Sequence, residues 1–411
     1  MVKSQHRSKL AVSTFAGMGG GALAAARSGY GVVCFDFDKD AVTTLSANGF
    51  EAHRARVEDV NWTPYNGADL LIGGPPCQSF SQGGLQSGES DPRNSIPAFV
   101  SAVKAVRPRV FIMENVRGLT FKKNRPYLDS VLDELRSFGY LVDWRVLNAA
   151  DYGVPQTRQR VFIVGRLDNE EPVWPAPSHG KYPGGKPWVS FADALGWAPD
   201  GSEFTTRPAT TVVGSFGADV IAGPGYRTAG GPSRQNAPGS AKVTHEERLI
   251  LQGFPKNWAL RGFKTSIDRQ LGNACPPPLL QAVITAQTTF VEVPATAYKQ
   301  ALDVALRTER VRTALGDFDE VVDPLCFLSP DGWTGFVVDQ DSGTLNLLFN
   351  VGPRGRGSAA VQRAVLEGAR QLDCFDGGLV RFYERHGWKI VNREANWTPG
   401  EPDVVFMEVA G

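Results

Sequence analysis

The first group in this chain that asks for a chemical reading is a cysteine. Residues 69–81 read DLLIGGPPCQSFS: an apolar strand-like run, then Gly73 and Gly74, then Pro75 and Pro76, then Cys77 among polar neighbours. A thiolate is a strong nucleophile, and the carboxyl end of a strand is where an open α/β sheet holds its ligands. Two glycines let backbone approach a ligand closely, and two prolines stiffen the loop that aims the thiol. A free cysteine more commonly packs as a small hydrophobe. That reading fits poorly beside Gln78, Ser79, Ser81 and Gln82.

Other strand ends supply companions. Residues 13–30, STFAGMGGGALAAARSGY, put a glycine-rich turn and a small-residue helix after the first strand, as a nucleotide-type ligand requires. The second strand ends CFDFDKDA. An acid there can accept hydrogen bonds from ribose hydroxyls and Phe37 can stack on a base, while capping or turn formation is the plainer role for Asp36 and Asp38. IMENVRGL brings Glu114 to the same sheet edge, where a solvated acid is the alternative. DYGVPQTRQRVFIVG sets Arg158 and Arg160 on alternate positions leading into a strand, so that both can face one side; either can equally be a solvated arginine.

The elements that must position these groups follow a βα rhythm. Apolar runs at LAVSTF, GVVCF, DLLIGG, RVFIM and RVFIVG are separated by helical stretches such as SIPAFVSAVKAV and YLDSVLDELRSF, which predicts an α/β fold with a mainly parallel sheet. Between about residues 168 and 242 the text turns rich in Gly, Pro and Ser, suiting either a linker or a loop-built recognition region. Helical periodicity returns in THEERLILQGF and PPPLLQAVITAQ, and GFVVDQDSGTLNLLFNV reads as two strands about a glycine-bearing turn. His245 and Glu246 belong to a helix start, and no His cluster or HExxH string suggests a metal.

The 411 residues, 42% hydrophobic and 21% charged, are enough for two or three cored domains. No run of about 18 apolar residues is present to span a bilayer, and the beginning lacks a secretory h-region, so a cytoplasmic protein is expected. Five cysteines without a CxxC pair suggest neither a zinc ribbon nor a disulfide framework. The zero net charge hides an asymmetry: residues 1–299 carry 26 acids and 32 Lys or Arg, residues 300–411 carry 17 and 11. A basic segment joined to an acidic one suits two domains, the basic one facing phosphates, though drift in surface charge gives the same counts.

Over roughly residues 9–292 these strings resemble, in order, the motifs of the DNA (cytosine-5)-methyltransferases. FAGMGGG is similar to that family's first cofactor motif, GGPPCQSFS to its catalytic-cysteine motif, ENVRGL to its catalytic-glutamate motif and QTRQR to its arginine motif, with RLILQGFP and RQLGNACPPPLLQAV as the closing pair. The resemblance implies a Rossmann-like, S-adenosylmethionine-dependent methyltransferase sheet over residues 8–167, completed by 243–293, with a small inserted target-recognition region at 168–242. It implies that Cys77 adds to C6 of a cytosine flipped out of duplex DNA. Protonated Glu114 would serve N3, Arg160 would hold O2, and Arg158 would order a loop or contact phosphate. S-adenosylmethionine is expected near Phe15, Gly17, Gly19, Asp36, Phe37, Asp59, Pro76 and Asn273. Many relatives carry Glu where Asp36 stands, which shortens the reach to the ribose. The implied partner is double-stranded DNA, met by a monomer in a bacterial or phage-infected cell. A tRNA cytosine methyltransferase and a catalytically idle DNA-binding protein are the rivals; the inserted region disfavours the first and the intact Cys77, Glu114 and Arg160 set the second.

Residues 297–411 lie outside that resemblance. VGPRGRGSAAVQRAVLEGA and the later FYERHGW are similar to the GNAT acyltransferases. This implies an α+β domain with an acetyl-CoA site at Arg354, Gly357, Ala359 and Tyr383, the helix start holding the pyrophosphate. The alternative is a module that kept the fold for docking.

Overall fold

The computed structural model describes residues 9–76, 94–168, 170–181, 186–214, 218–223, 239–288, 290–307, 318–329, 332–351, 356–396 and 398–409. They divide into two compact units, 1–172 with 188–281, and 173–187 with 282–411. No helix among the described residues is long and apolar enough to cross a membrane.

The first unit is built on seven strands: β1 Leu10–Thr14, β2 Gly31–Asp36, β3 Glu51–Arg54, β4 Leu70–Gly73, β5 Val110–Val116, β6 Leu141–Asn148 and β7 Gln159–Arg166, in the order β3-β2-β1-β4-β5-β7-β6. Every neighbouring pair is parallel except those made by β7, which runs against both β5 and β6. Its core is apolar on both faces, with Val12, Leu71, Phe111 and Ile163 fully buried, as a sheet covered by helices demands. The helices α1 Gly20–Arg27, α2 Lys39–Ala47, α3 Ile96–Val106 and α4 Arg125–Ser137 connect the strands. Gly165 shows how tight the packing is: a Cβ there would lie 2.1 Å from the Phe111 ring. The strands missing from the sequence reading are β3 and β6, the two sheet edges, whose residues EAHR and LVDWRVLN need not form continuous apolar runs.

After β7 a small independent core forms around α5 Phe191–Leu195, where Phe191 and Phe204 stack at 4.7 Å beside Val212, Ile221 and Val243. The short β8 Val220–Ile221 and β9 Ala241–Lys242 pair antiparallel. Then α6 His245–Leu251 starts on a capping box made by Thr244 and Glu247, α7 Lys264–Asn273 follows, and the boundary between the units falls within α8 Pro277–Ala286.

The second unit holds β10 Val291–Val293, α9 Ala295–Leu306, β11 Pro324–Leu328, β12 Thr334–Asp339, β13 Thr344–Asn350, α10 Arg356–Leu366, β14 Gln371–Phe375, α11 Gly378–Glu384, β15 Lys389–Glu394 and β16 Val404–Glu408. The sheet order is β10-β11-β12-β13-β14-β16-β15. The hairpin foreseen in GFVVDQDSGTLNLLFNV is β12 and β13, with Gly343 at φ 68° in its turn. All pairs are antiparallel except β13 with β14, which are in register only at Thr344 and Gln371. Between Gly335 and Val337 the register with β13 shifts, and Leu347 takes φ 50°. A bulge of this kind bends a strand.

Candidate active site and its cofactor crevice

In the first sheet the strand order reverses between β1 and β4, and the crevice beyond their carboxyl ends is the expected ligand position. A cavity of about 220 Å³ lies there, walled by the residues that follow β1, β2 and β4 together with the end of α7. Phe15, Gly17, Asp36, Phe37, Pro76 and Asn273 all line it, as does Glu114. Phe15 holds φ 49°, a conformation costly for a bulky side chain and found where surrounding structure enforces it. Phe37 presents a ring that is 57% exposed. A Cβ on Gly17 would meet nothing within 4 Å, so a ligand can approach that backbone.

The Asp36 carboxylate is held from behind. Gly17 N–H donates to Oδ2 at 2.8 Å and Asp38 N–H to Oδ1 at 2.9 Å. Burial pushes its carboxyl above the ordinary range, opposed by these backbone donors. Asp38 has the plainer role considered for it. It caps α2 by accepting from Asp40 and Ala41 N–H, and it pairs with Arg269, a cavity residue that sequence reading did not single out. Gly19 and Asp59 are not cavity walls. Gly19, at φ 102°, caps α1 where a Cβ would sit 2.9 Å from Leu45, and Asp59 is exposed at the end of the turn Val57–Asp59. The small residues of α1 have a packing cause too, because a Cβ on Gly20 would lie 2.2 Å from the Cys275 carbonyl. These features fit a nucleoside with a charged tail: a ring to stack on, a buried carboxylate, and open backbone.

Beside the crevice, antiparallel pairing of β5 with β7 sets Val116 opposite Arg160 and Glu114 opposite Phe162. Glu114 and Arg160 are thus diagonal neighbours on one face. Arg160 Nε meets Glu114 Oε1 at 2.9 Å with both side chains about six-sevenths buried, and Arg160 also donates to the Gln159 carbonyl. Gly74 makes room for the carboxylate, since its Cβ would stand 3.1 Å from Oε2. Cys77 lies outside the described residues. The backbone leading to it is fixed: Asn115 Nδ2 donates to the Pro75 carbonyl and Ser95 N–H to the Pro76 carbonyl, both at 3.2 Å. Asn115 is a positioning residue that sequence reading passed over, although its place beside Glu114 in ENV was the available signal.

Arg158 differs from Arg160. It precedes β7 by one residue, so the alternation expected of a strand does not reach it. It is 1% exposed and donates to the Val212 carbonyl at 3.0 Å and the Gly272 carbonyl at 2.8 Å. Burial pulls its guanidinium down to about 9, with Arg160 acting in the same direction. Of the two roles considered, burial leaves loop ordering and removes phosphate contact. Gln156, Gln252 and Arg248, all fully buried, share the task. Gln156 Oε1 accepts from Val212 N–H and its amide donates to Gln252, while Arg248 pairs with Asp268 and donates to the Val213 carbonyl at 2.8 Å. Segment 209–214 is therefore held largely by side chains, with a backbone bridge to Gln156 at Ala209, and Gly272 is required because a Cβ would fall 1.9 Å from Gly214 N. His245, bonded to Asp268 at 3.0 Å, belongs to this framework.

The four described thiols are poor nucleophiles. Burial pushes Cys34 to about 12, Cys326 to about 11 and Cys374 to about 12. Cys275 lines the crevice, and burial followed by the Glu114 charge pushes it well up, against Arg158 and Arg160.

In the second unit Arg354 lies outside the described residues. Gly357 sits in the first turn of α10, where a Cβ would meet only the Phe382 ring, 3.5 Å away. Ala359 and Tyr383 are core residues, and burial raises the Tyr383 hydroxyl far above its usual range.

The chain matches the family described as C-5 cytosine-specific DNA methylase over residues 11–189 and 211–288. It is 32% identical over 295 residues to the Type II methyltransferase M.AplI of Arthrospira platensis, covering 66% of this chain and 82% of that one. It is also 32% identical to M.NgoMIV of Neisseria gonorrhoeae, covering 65% and 93%. Among solved structures, a mutant DNMT2 of Spodoptera frugiperda shares the fold at a TM-score of 0.51 and 18% identity, over 67% of this chain and 98% of that one.

Proposed function

The chain belongs to the C-5 cytosine-specific DNA methylase family, and from that premise we propose that it methylates C5 of a flipped-out cytosine in a specific duplex sequence through a covalent bond between Cys77 and C6, acting as a monomer. The enzyme is a DNA (cytosine-5-)-methyltransferase, and its family uses S-adenosylmethionine. Cytosine C5 is too weak a nucleophile while the ring is aromatic. Cys77 thiolate addition to C6 turns C5 into the carbon of an enamine. Protonated Glu114 donates to N3 and takes up the charge that addition creates. Arg160 fixes Glu114 and holds the cytosine O2. S-adenosylmethionine, when bound, would supply the methyl group, with Phe15, Asp36 and Phe37 at its adenosine and Gly17 and Asn273 at its amino-acid end. Loss of the C5 proton to water and expulsion of Cys77 as the thiolate, with the N3 proton returned to Glu114, restore the ring.

The observation that carries this reading is the buried Glu114 and Arg160 pair, with Glu114 lining the same crevice as Gly74 and Pro76, the backbone that leads to Cys77. Residues 8–167 and 243–293 form the catalytic part in this reading, and 168–242 reads the target sequence. Duplex DNA carrying 5-fluorocytosine at the target tests it, because fluorine cannot leave as the proton does. A covalent complex is expected from the wild type and from Cys275→Ala, and none from Cys77→Ala. Full methylation by Cys77→Ala would sink the mechanism.

The second unit, residues 297–411, is read as GNAT-like with an acetyl-CoA site at Arg354, Gly357, Ala359 and Tyr383. What supports this is the single parallel pair. In register only at their beginnings, β13 and β14 leave a wedge toward their carboxyl ends, and α10 begins beyond that end of β13. A helix start with a bare glycine is suited to a pyrophosphate. A docking module that kept the fold is favoured instead by the burial of Tyr383 among Trp388 and Phe382. Calorimetry with acetyl-CoA decides. Binding abolished by Gly357→Glu supports the ligand site, and no heat at millimolar ligand leaves the docking role.

A further inference from the structure

The segment that follows the catalytic glutamate has no part in the chemistry above, yet it is built to hold charge. Between Glu114 and Asp129 the sequence contains no acid and four cations: Arg117, Lys122, Lys123 and Arg125. It folds as two short turns, Arg117–Thr120 and Lys122–Asn124, pinned from beneath. Gly118, Leu119 and Asn124 are buried, and Asn124 Nδ2 donates to the Gly118 carbonyl at 2.7 Å. Thr120 Oγ1 donates to the Arg117 carbonyl at 2.9 Å. Short 3-10 turns tied this way hold exposed side chains in set positions.

Arg117, Lys122 and Lys123 all face solvent. The platform is fastened to the catalytic pair as well: Arg117 donates to Gln159 Oε1 at 2.7 Å, and the Gln159 carbonyl accepts from Arg160 at 2.8 Å. Because β5 ends and β7 begins at the same end of the sheet, Arg117 stands at the strand end that carries Glu114 and Arg160. Arg125 is otherwise engaged, paired with Asp129 at 2.8 Å and lying over the Trp144 ring.

We propose that Arg117, Lys122 and Lys123 form a phosphate-binding platform that grips duplex DNA beside the extruded cytosine. The assignment rests on the functional reading above. A base swung in to Glu114 and Arg160 leaves its own flanking phosphates outside that strand end, so cations fixed there meet them first. Such contacts fix register and strengthen binding on any sequence, while base reading is done elsewhere.

The test is the affinity of a short labelled duplex for wild type, for K122A/K123A and for R125A across about 50 to 200 mM salt. Each phosphate contact contributes a slope of about 0.9 in log K against log salt. K122A/K123A should therefore flatten the slope by about 1.8, and wild-type affinity should fall about tenfold more over that range than the variant's. The variant's weaker binding at low salt should be equal on duplexes with and without the target site, with cofactor affinity unchanged as the check on folding. R125A should keep the wild-type slope. An unchanged slope in K122A/K123A overturns the platform, and so does an equal loss in R125A, which would make the effect one of net charge. Wild-type turnover in the same buffers separates the failures: if no duplex is methylated, the functional reading falls and takes the proposal with it.

Discussion

The two seven-stranded sheets are opposites in construction. The first is parallel with one reversed strand, β7; the second is antiparallel with one parallel pair, β13 and β14. In the first, the exception is where the Glu114 and Arg160 pair forms; in the second, it is the place of the ligand site proposed above. Reversing β7 brings Arg160 back to the edge at which β5 delivers Glu114, which a parallel strand would not do. In the second sheet, β13 and β14 pair at one position only, Thr344 with Gln371, ahead of α10. A regular sheet satisfies its own backbone groups, and a break in its pattern leaves space or donors for something else.

The sharpest way to break this comparison is at Arg160. Arg160→Ala should lower single-turnover methylation by about 10²–10³, the usual result of removing a group that stabilises developing charge. Arg160→Lys should recover only part, because a point charge cannot keep both the Glu114 contact and a second bond. A loss below about fivefold would mean that the reversed strand is not what equips the site.

Next come two glycines, one in each unit. Gly272→Ala pushes a methyl into the backbone of Val213 and Gly214 and should cost about 2–3 kcal/mol, read from denaturant midpoints, with weaker cofactor binding through displaced Asn273. Gly357→Ala meets only ordinary contact with Phe382 and should change stability by less than about 0.5 kcal/mol. Equal losses at both would show that the α10 start is packed as tightly as the α7 end, leaving no opening for a ligand.

A smaller effect belongs to His386. Burial, helped by Arg385 and opposed by its bond to the Phe382 carbonyl, pulls its imidazole down to about 4. Between the ordinary value near 6.5 and 4 the unfolded chain binds the proton and the folded chain does not, so stability falls as pH falls through that window. The loss should reach about 2–3 kcal/mol near pH 4. In thermal melts from pH 7 to 4.5, His386→Leu should show a flatter dependence than the wild type; parallel curves would refute it. Least of all, Arg125→Ala should cost under about 0.5 kcal/mol, the worth of an exposed i,i+4 pair, and a larger loss in the same denaturant assay would point to the Trp144 contact.

The sequence by itself determined the chemistry-bearing positions at the strand ends. Glu114 and Arg160, and the crevice residues Phe15, Gly17, Asp36 and Phe37, are placed by local rules: apolar runs form strands, glycines and prolines end them, and a parallel sheet gathers those ends at one edge. Only the tertiary structure decided which of two arginines faces the site. Residues 158 and 160 share a parity, but the strand begins at 159, and Arg158 turns inward to carbonyls that lie 54 and 114 residues further along the chain. The same holds for Asn115 beneath Pro75, for Arg269 against Asp38 and for the buried Gln156 and Arg248. Their types looked like ordinary polar residues, because a buried polar group is explained by its partners, and those partners are adjacent only after folding.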